Sequence, residues 1–88
     1  MSFKKQFGQR VQEARKLHNE TQKDLGDVID TRPNNVSEIE GGKKTTTAEK
    51  IARICRHYHV SADYLLGLSD DPKGGVELWS DEGEMDQE

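Results

Sequence analysis

Residues 21–43 read TQKDLGDVIDTRPNNVSEIEGGK, and this stretch decides the fold. Thr21 is placed to cap a helix, with Asp24 three residues on in the style of a capping box. Leu25, Val28 and Ile29 follow at helical spacing and supply one apolar face. Asp30 and Thr31 break that helix, and Pro33 opens the next. Proline suits a first helical position, where its missing N–H would have no helical partner. It also pushes Arg32 toward the extended geometry of an N-cap. Val36 and Ile39 are the buried pair of this second helix, and Gly41-Gly42 ends it. Two residues of the stretch are unusual choices. Gly26 sits inside a helix, where glycine costs about 1 kcal/mol against alanine, so a close helix–helix approach is expected there. Asp30 falls where the turn calls for a positive φ, a region Asp visits more readily than most residues.

The pattern continues on both sides. A helix from about Phe3 to His18, capped by Ser2, carries a stripe of Phe3, Phe7, Val11 and Ala14 or Leu17. Thr47 caps a fourth helix bearing Ala48, Ile51, Ala52, Ile54, Cys55 and Tyr58. Ser61 caps a fifth, ADYLL, with Gly67 as its stop. The one strand-like run, GVELW, stands alone. The expected fold is all-α, with five short helices around one core.

Composition narrows the function classes. The 88 residues suffice for one small domain, and 31% apolar content demands a compact core. A single cysteine, Cys55, cannot form an internal disulfide, which points to a reducing compartment or indifference to it. No run approaches the roughly 20 apolar residues of a membrane span, and no signal peptide opens the chain, so a cytoplasmic protein is expected. The net charge of −4 conceals a division. Residues 1–68 hold 12 Lys and Arg against nine Asp and Glu, a balance of +3, whereas residues 69–88 hold one Lys against eight acids, a balance of −7. The chain therefore divides into a helical domain at 1–68 and an acidic tail at 69–88. The tail is either solvated throughout or docked through Val76, Leu78 and Trp79 onto the domain or a second protomer.

Two helices of about eight residues joined by a short break form a helix-turn-helix, in which one helix crosses the DNA backbone and the next enters the major groove. The residues TQxxLxxxI…VSxxExGK, followed by IARICRHYHVSADYLLG, resemble the DNA-binding domain of phage repressor and Cro-type regulators, the xenobiotic-response-element family. The resemblance covers residues 3–68 and implies a five-helix, lambda-repressor-like domain that binds double-stranded DNA. It places Gln22 at the start of the second helix against a phosphate, and Arg32, Pro33, Asn34, Ser37 and Glu38 on the base-reading side of the third. Asn34 can pair with adenine, Arg32 can reach guanine or a phosphate, and Pro33 offers apolar contact. Glu38 either accepts from cytosine N4 or repels phosphates, and Asn35 either meets a phosphate or packs beneath. Gly42 and Lys43 match positions that present backbone N–H groups and a charge to phosphates, and Lys44 adds a second charge. Arg15 and Glu40 match positions that form a buried or half-buried structural ion pair between the first and third helices. Tyr64, Leu65 and Leu68 are the candidate contacts of a homodimer.

The sequence departs from the family at Glu20, which replaces an apolar residue and predicts a looser corner, and at Arg32, where a capping Ser or Thr is usual. His57 and His59 lack a tetrahedral ligand set, so no metal is expected, and no cofactor or small-molecule site is evident. No catalytic arrangement stands out. The expected function is a sequence-specific transcriptional regulator, with repression favoured. An antitoxin or restriction-control regulator of the same fold, or a protein-interaction adaptor without DNA, are the alternatives.

Overall fold

The computed structural model describes residues 2–73, so Val76, Leu78, Trp79 and the GVELW run lie outside the described residues. Five helices follow in order: α1 (Phe3–Leu17), α2 (Gln22–Val28), α3 (Pro33–Glu40), α4 (Ala48–Tyr58) and α5 (Ala62–Leu65). Local chemistry sets their starts. The hydroxyls of Ser2, Thr21, Thr47 and Ser61 each accept from the backbone N–H three residues on. At Thr21 the box is reciprocal: Asp24 accepts from the Thr21 N–H at 2.9 Å and donates its own N–H to the Thr21 hydroxyl at 3.1 Å. That backbone bond, with the one from the Thr21 side chain, holds the Asp24 carboxyl below its ordinary value. Arg32 has the extended φ of −83° and ψ of 155° that Pro33 imposes, without a side-chain cap.

The core is built from Phe7, Val11, Ala14, Leu25, Ile29, Val36, Ile39, Ile54, Tyr58 and Leu65. Burying one such large side chain stabilises by about 1.5–3 kcal/mol, so each helix is fastened by one to three of them. The ends of the expected α1 stripe behave differently. Phe3 is 49% exposed, stacked on Phe7 at the edge, and Leu17 is 81% exposed, so Ala14 is the inward residue of that turn. Leu65 is fully buried in the core and is therefore excluded as a dimer contact, a correction to the sequence reading.

One further correction and one new contact concern polar residues. The corner at Glu20 is tied down. Its carboxylate accepts from the Tyr58 hydroxyl at 2.8 Å and lies 2.8 Å from His57 Nε2, and its carbonyl accepts from Arg15 at 2.7 Å. Burial alone would raise the Glu20 pKa, but the His57 and Tyr58 bonds outweigh it and hold the carboxyl below its ordinary value. Burial, then Glu20 itself, pushes the Tyr58 phenol strongly upward. The new contact is made by Arg10, whose guanidinium sits 4.3 Å over the Tyr64 ring and donates to the carbonyls of Tyr64 and Ser69 and, at 2.9 Å, to Asp70. Together with a 2.8 Å bond from the Ser61 N–H to the Pro72 carbonyl, this fastens residues 69–72 to the helices.

Candidate nucleic-acid interface

The pair α2–α3 is joined by Ile29–Arg32. Asp30 takes the expected positive φ, 56°. The turn closes through Thr31, whose N–H donates to the Gly26 carbonyl at 2.8 Å. A Cβ on Gly26 would lie 2.6 Å from the Thr31 carbonyl oxygen. Gly26 is thus required by the backbone leading into α3, a closer partner than the helix body that the sequence suggested.

α3 is short, and α1 and α2 hold it in place. Val36 and Ile39 anchor it in the core. Gly8, which sequence reasoning missed, lets α1 lie directly against its C-terminal end: a Cβ there would collide with the Ile39 carbonyl and stand 2.9 Å from that of Glu40. The Arg15–Glu40 pair is buried and two-pronged, Nε to Oε2 at 2.7 Å and Nη2 to Oε1 at 3.0 Å. Its hydrogen bond raises the Arg15 pKa further, against the cost of burial. Gln22 donates to the same carboxylate at 3.2 Å. One acid therefore orients both the helix and the glutamine at the head of α2.

What remains outward is the row Arg32, Pro33, Asn34 and Ser37, all exposed, with Glu38 half-buried beside it. Asn35 packs beneath: its amide donates to the Thr31 hydroxyl at 2.9 Å and its carbonyl oxygen accepts from Lys44 at 2.8 Å. The bond between Thr31 and Asn35 was not legible in the sequence, because it depends on where Asn35 points. Lys44 also sits 3.1 Å from Glu38, which makes its charge a partner of α3 as well as a candidate phosphate contact.

The end of α3 corrects one expectation. The Gly42 N–H donates to the Ile39 carbonyl at 3.1 Å, and the Lys43 N–H to that of Glu38 at 2.9 Å. This is the bonding of a Schellman stop, so these N–H groups are engaged in capping and do not await phosphates. Gly42 contributes instead its φ of 81° and its lack of a side chain, since a Cβ would lie 2.6 Å from Lys5 Cγ. The stem of Lys5, another residue missed in sequence, therefore runs past the loop that carries Lys43.

The candidate homodimer residues separate. Leu65 is interior, Tyr64 lies half-buried under Arg10, and Leu68 is 76% exposed. His57 bonds Glu20, and His59 takes the left-handed cap of α4 with φ 58°. Among the described residues no group of three or more His, Cys, Asp or Glu could hold a metal, and no helix is long and apolar enough to cross a membrane. A surface feature without a signal in the sequence is an apolar groove of about 900 Å³ between α4 and α5, at a distance from α3 along the chain and lined by neither α2 nor α3.

Known proteins share this arrangement. Over 71 residues the chain is 36% identical to the uncharacterized HTH-type transcriptional regulator YobD of Bacillus subtilis, covering 81% of this chain and 63% of YobD. It is 33% identical over 61 residues to the HTH-type transcriptional regulator ImmR of the same organism, covering 69% and 48%. The chain thus spans about half to two-thirds of these relatives' length. Among solved structures, the P22 c2 repressor protein in complex with synthetic operator 9T superposes with a TM-score of 0.64 at 25% identity, over 68% of this chain and 91% of that one. The clp gene regulator ClgR of Corynebacterium glutamicum has the same fold, with a TM-score of 0.70 at 20% identity over 94% and 85%. Residues 8–70 match the helix-turn-helix domain family, and the chain belongs to it.

Proposed function

We propose that the protein is a sequence-specific double-stranded DNA-binding regulator of transcription, acting as a repressor, that reads the major groove with residues 32–40. The observation that carries this is the outward row Arg32, Pro33, Asn34 and Ser37 on a helix whose other face is fixed by Val36, Ile39 and the Arg15–Glu40–Gln22 network. The family match, two relatives that are transcriptional regulators and a structural neighbour bound to an operator support it. In this reading Arg32, Asn34, Ser37 and Glu38 choose the sequence, while Gln22, Lys43, Lys44 and Lys5 supply phosphate contacts and most of the salt-sensitive affinity. One short helix covers only a few base pairs, so the regulator acts as a symmetric homodimer with Leu68 at its contact surface.

Selection of binding sites from a random duplex pool tests the proposal. The expected outcome is an enriched site of two symmetric halves, with centres about 34 Å or a multiple apart, and affinity that falls steeply with salt. A pool that stays random, with no salt-dependent shift of any duplex, refutes it.

A further inference from the structure

The groove between α4 and α5 is apolar and open, and its lining includes Ile51, Ala52, Cys55, Val60, Ala62 and Leu66. Ile51, Ala52, Cys55, Val60 and Leu66 are each only half-buried. Five such residues gathered in one concavity form a binding surface of ligand-pocket size, unlike scattered surface hydrophobes. Burial raises the Cys55 thiol pKa, consistent with an apolar setting.

The chain itself supplies an occupant. Pro72 is held beside the groove by the Ser61 N–H, Asp70 by Arg10, and Lys73 lines the groove. The residues that follow are GGVELWSDEGEMDQE, whose apolar members beside Met85 are Val76, Leu78 and Trp79. A chain spans at most about 3.3–3.6 Å per residue, so Val76 lies within about 10 Å of Lys73 and Trp79 within about 20 Å. The two glycines after Lys73 give the chain freedom to turn back. Charge agrees with this direction. Arg56, His59 and Lys73 line the groove against one acid, Asp63, while the segment carries Glu77 among its apolar residues and Asp81 and Glu82 just after them.

We infer that the α4–α5 groove receives residues 76–79 of its own chain, with Trp79 and Leu78 covering Ala52, Cys55 and Leu66. The segment then acts as a clasp that shields the apolar surface and keeps the acidic residues after Ser80 near α4, at a site that includes no residue of α2 or α3. The inference is independent of the DNA-reading proposal, because its test involves no duplex.

The chain's single tryptophan and single cysteine fall on opposite sides of the inferred contact, so the full-length protein reports on it directly. Trp79 emission should be blue-shifted relative to the urea-unfolded chain, and acrylamide should quench it severalfold less. Ala52→Glu should return the emission to that of a solvated indole while far-UV circular dichroism stays helical. Leu78→Asp alters no residue of the five helices, and it should speed Cys55 labelling by a maleimide severalfold. Protection of Cys55 and shielding of Trp79 should both be unchanged on dilution. An emission identical to that of unfolded chain overturns the inference, as does a Cys55 rate unaffected by Leu78→Asp. Shielding that disappears on dilution also overturns it, since the occupant would then be a second copy.

Discussion

Replacing Glu40 by alanine tests how α3 is held. The pair has bonds of 2.7 and 3.0 Å, and its side chains are 10% and 2% exposed on the Arg15 and Glu40 sides. Glu40→Ala leaves the Arg15 guanidinium among core residues with the Glu20 carbonyl, at 2.7 Å, as its remaining partner. Removing one member of a buried pair costs about 3–5 kcal/mol, and the surviving Glu20 bond places this case near 3. A domain of this size holds about 4–11 kcal/mol in all, at 0.05–0.15 kcal/mol per residue. With about 4–8 °C of Tm lost per kcal/mol, the variant should melt roughly 12–24 °C below the parent.

Urea melts followed by far-UV circular dichroism measure the loss. The companion variant Arg15→Met/Glu40→Leu removes both charges together, and apolar replacement of a buried pair is often neutral or stabilising. It should therefore recover most of the stability. Its DNA affinity should not recover to the same degree, because Gln22 loses the carboxylate that orients it. A loss below about 1 kcal/mol for Glu40→Ala, the worth of an exposed pair, would refute the reasoning. So would a double variant no more stable than the single one.

Four other outcomes follow from the same geometry. Gly8→Ala forces α1 from the Ile39 and Glu40 carbonyls and should cost about 1–3 kcal/mol, the range of overpacking, as read in a urea melt. Asn34→Ala should weaken the selected operator by about 1–3 kcal/mol and relax preference at one base pair; repeating the site selection with the variant checks this. Lys43→Ala should lower the slope of log affinity against log salt by about 0.9, whereas Lys44→Ala should lower it less, because Lys44 is engaged with Glu38 and Asn35. Burial and Glu20 raise the Tyr58 phenol above its ordinary 10.0, so its contribution is complete below pH 10 and lost as pH rises further. Urea midpoints should thus fall above pH 10 in the parent, and the fall should be shallower in Tyr58→Phe.

The legible features were those whose physical cause is local. Ser2, Thr21, Thr47 and Ser61 cap because a short polar side chain reaches an N–H three residues on. Pro33, Asp30 and Gly26 speak through backbone geometry, and each does in the fold what its chemistry requires. Periodicity located the inner face of α1, but it cannot say where neighbouring helices stop covering that face, hence the exposed Phe3 and Leu17. The features that stayed hidden depend on residues distant in sequence. Gly8 is needed because of carbonyls in α3, Glu20 finds partners 37 and 38 residues away, and Arg10 reaches Asp70. In the interface, the family pattern placed Arg15 against Glu40 correctly. It did not reveal that the Gly42 and Lys43 N–H groups are consumed by the helix stop, or that Lys44 bends back to Glu38.

The length of α3 explains why so much of the structure is devoted to it. Eight residues are too few for a helix to persist alone, since isolated helices below about 12–15 residues are marginal in water. Its order is imposed from outside at four places: Pro33 at the start, the glycine stop at the end, Val36 and Ile39 inward, and Glu40 on Arg15. A reading surface fixed in advance does not have to be ordered when it meets its partner, so that share of the binding cost is met during folding. On the proposed function, base discrimination then depends on residues that cannot touch a base. Gly8 and Glu40 are both buried, yet each sets the angle at which Arg32, Asn34 and Ser37 face outward. Substitutions at these two positions should accordingly blur operator preference even under conditions where the variant remains fully folded, whereas Asn34→Ala should alter preference with no loss of stability.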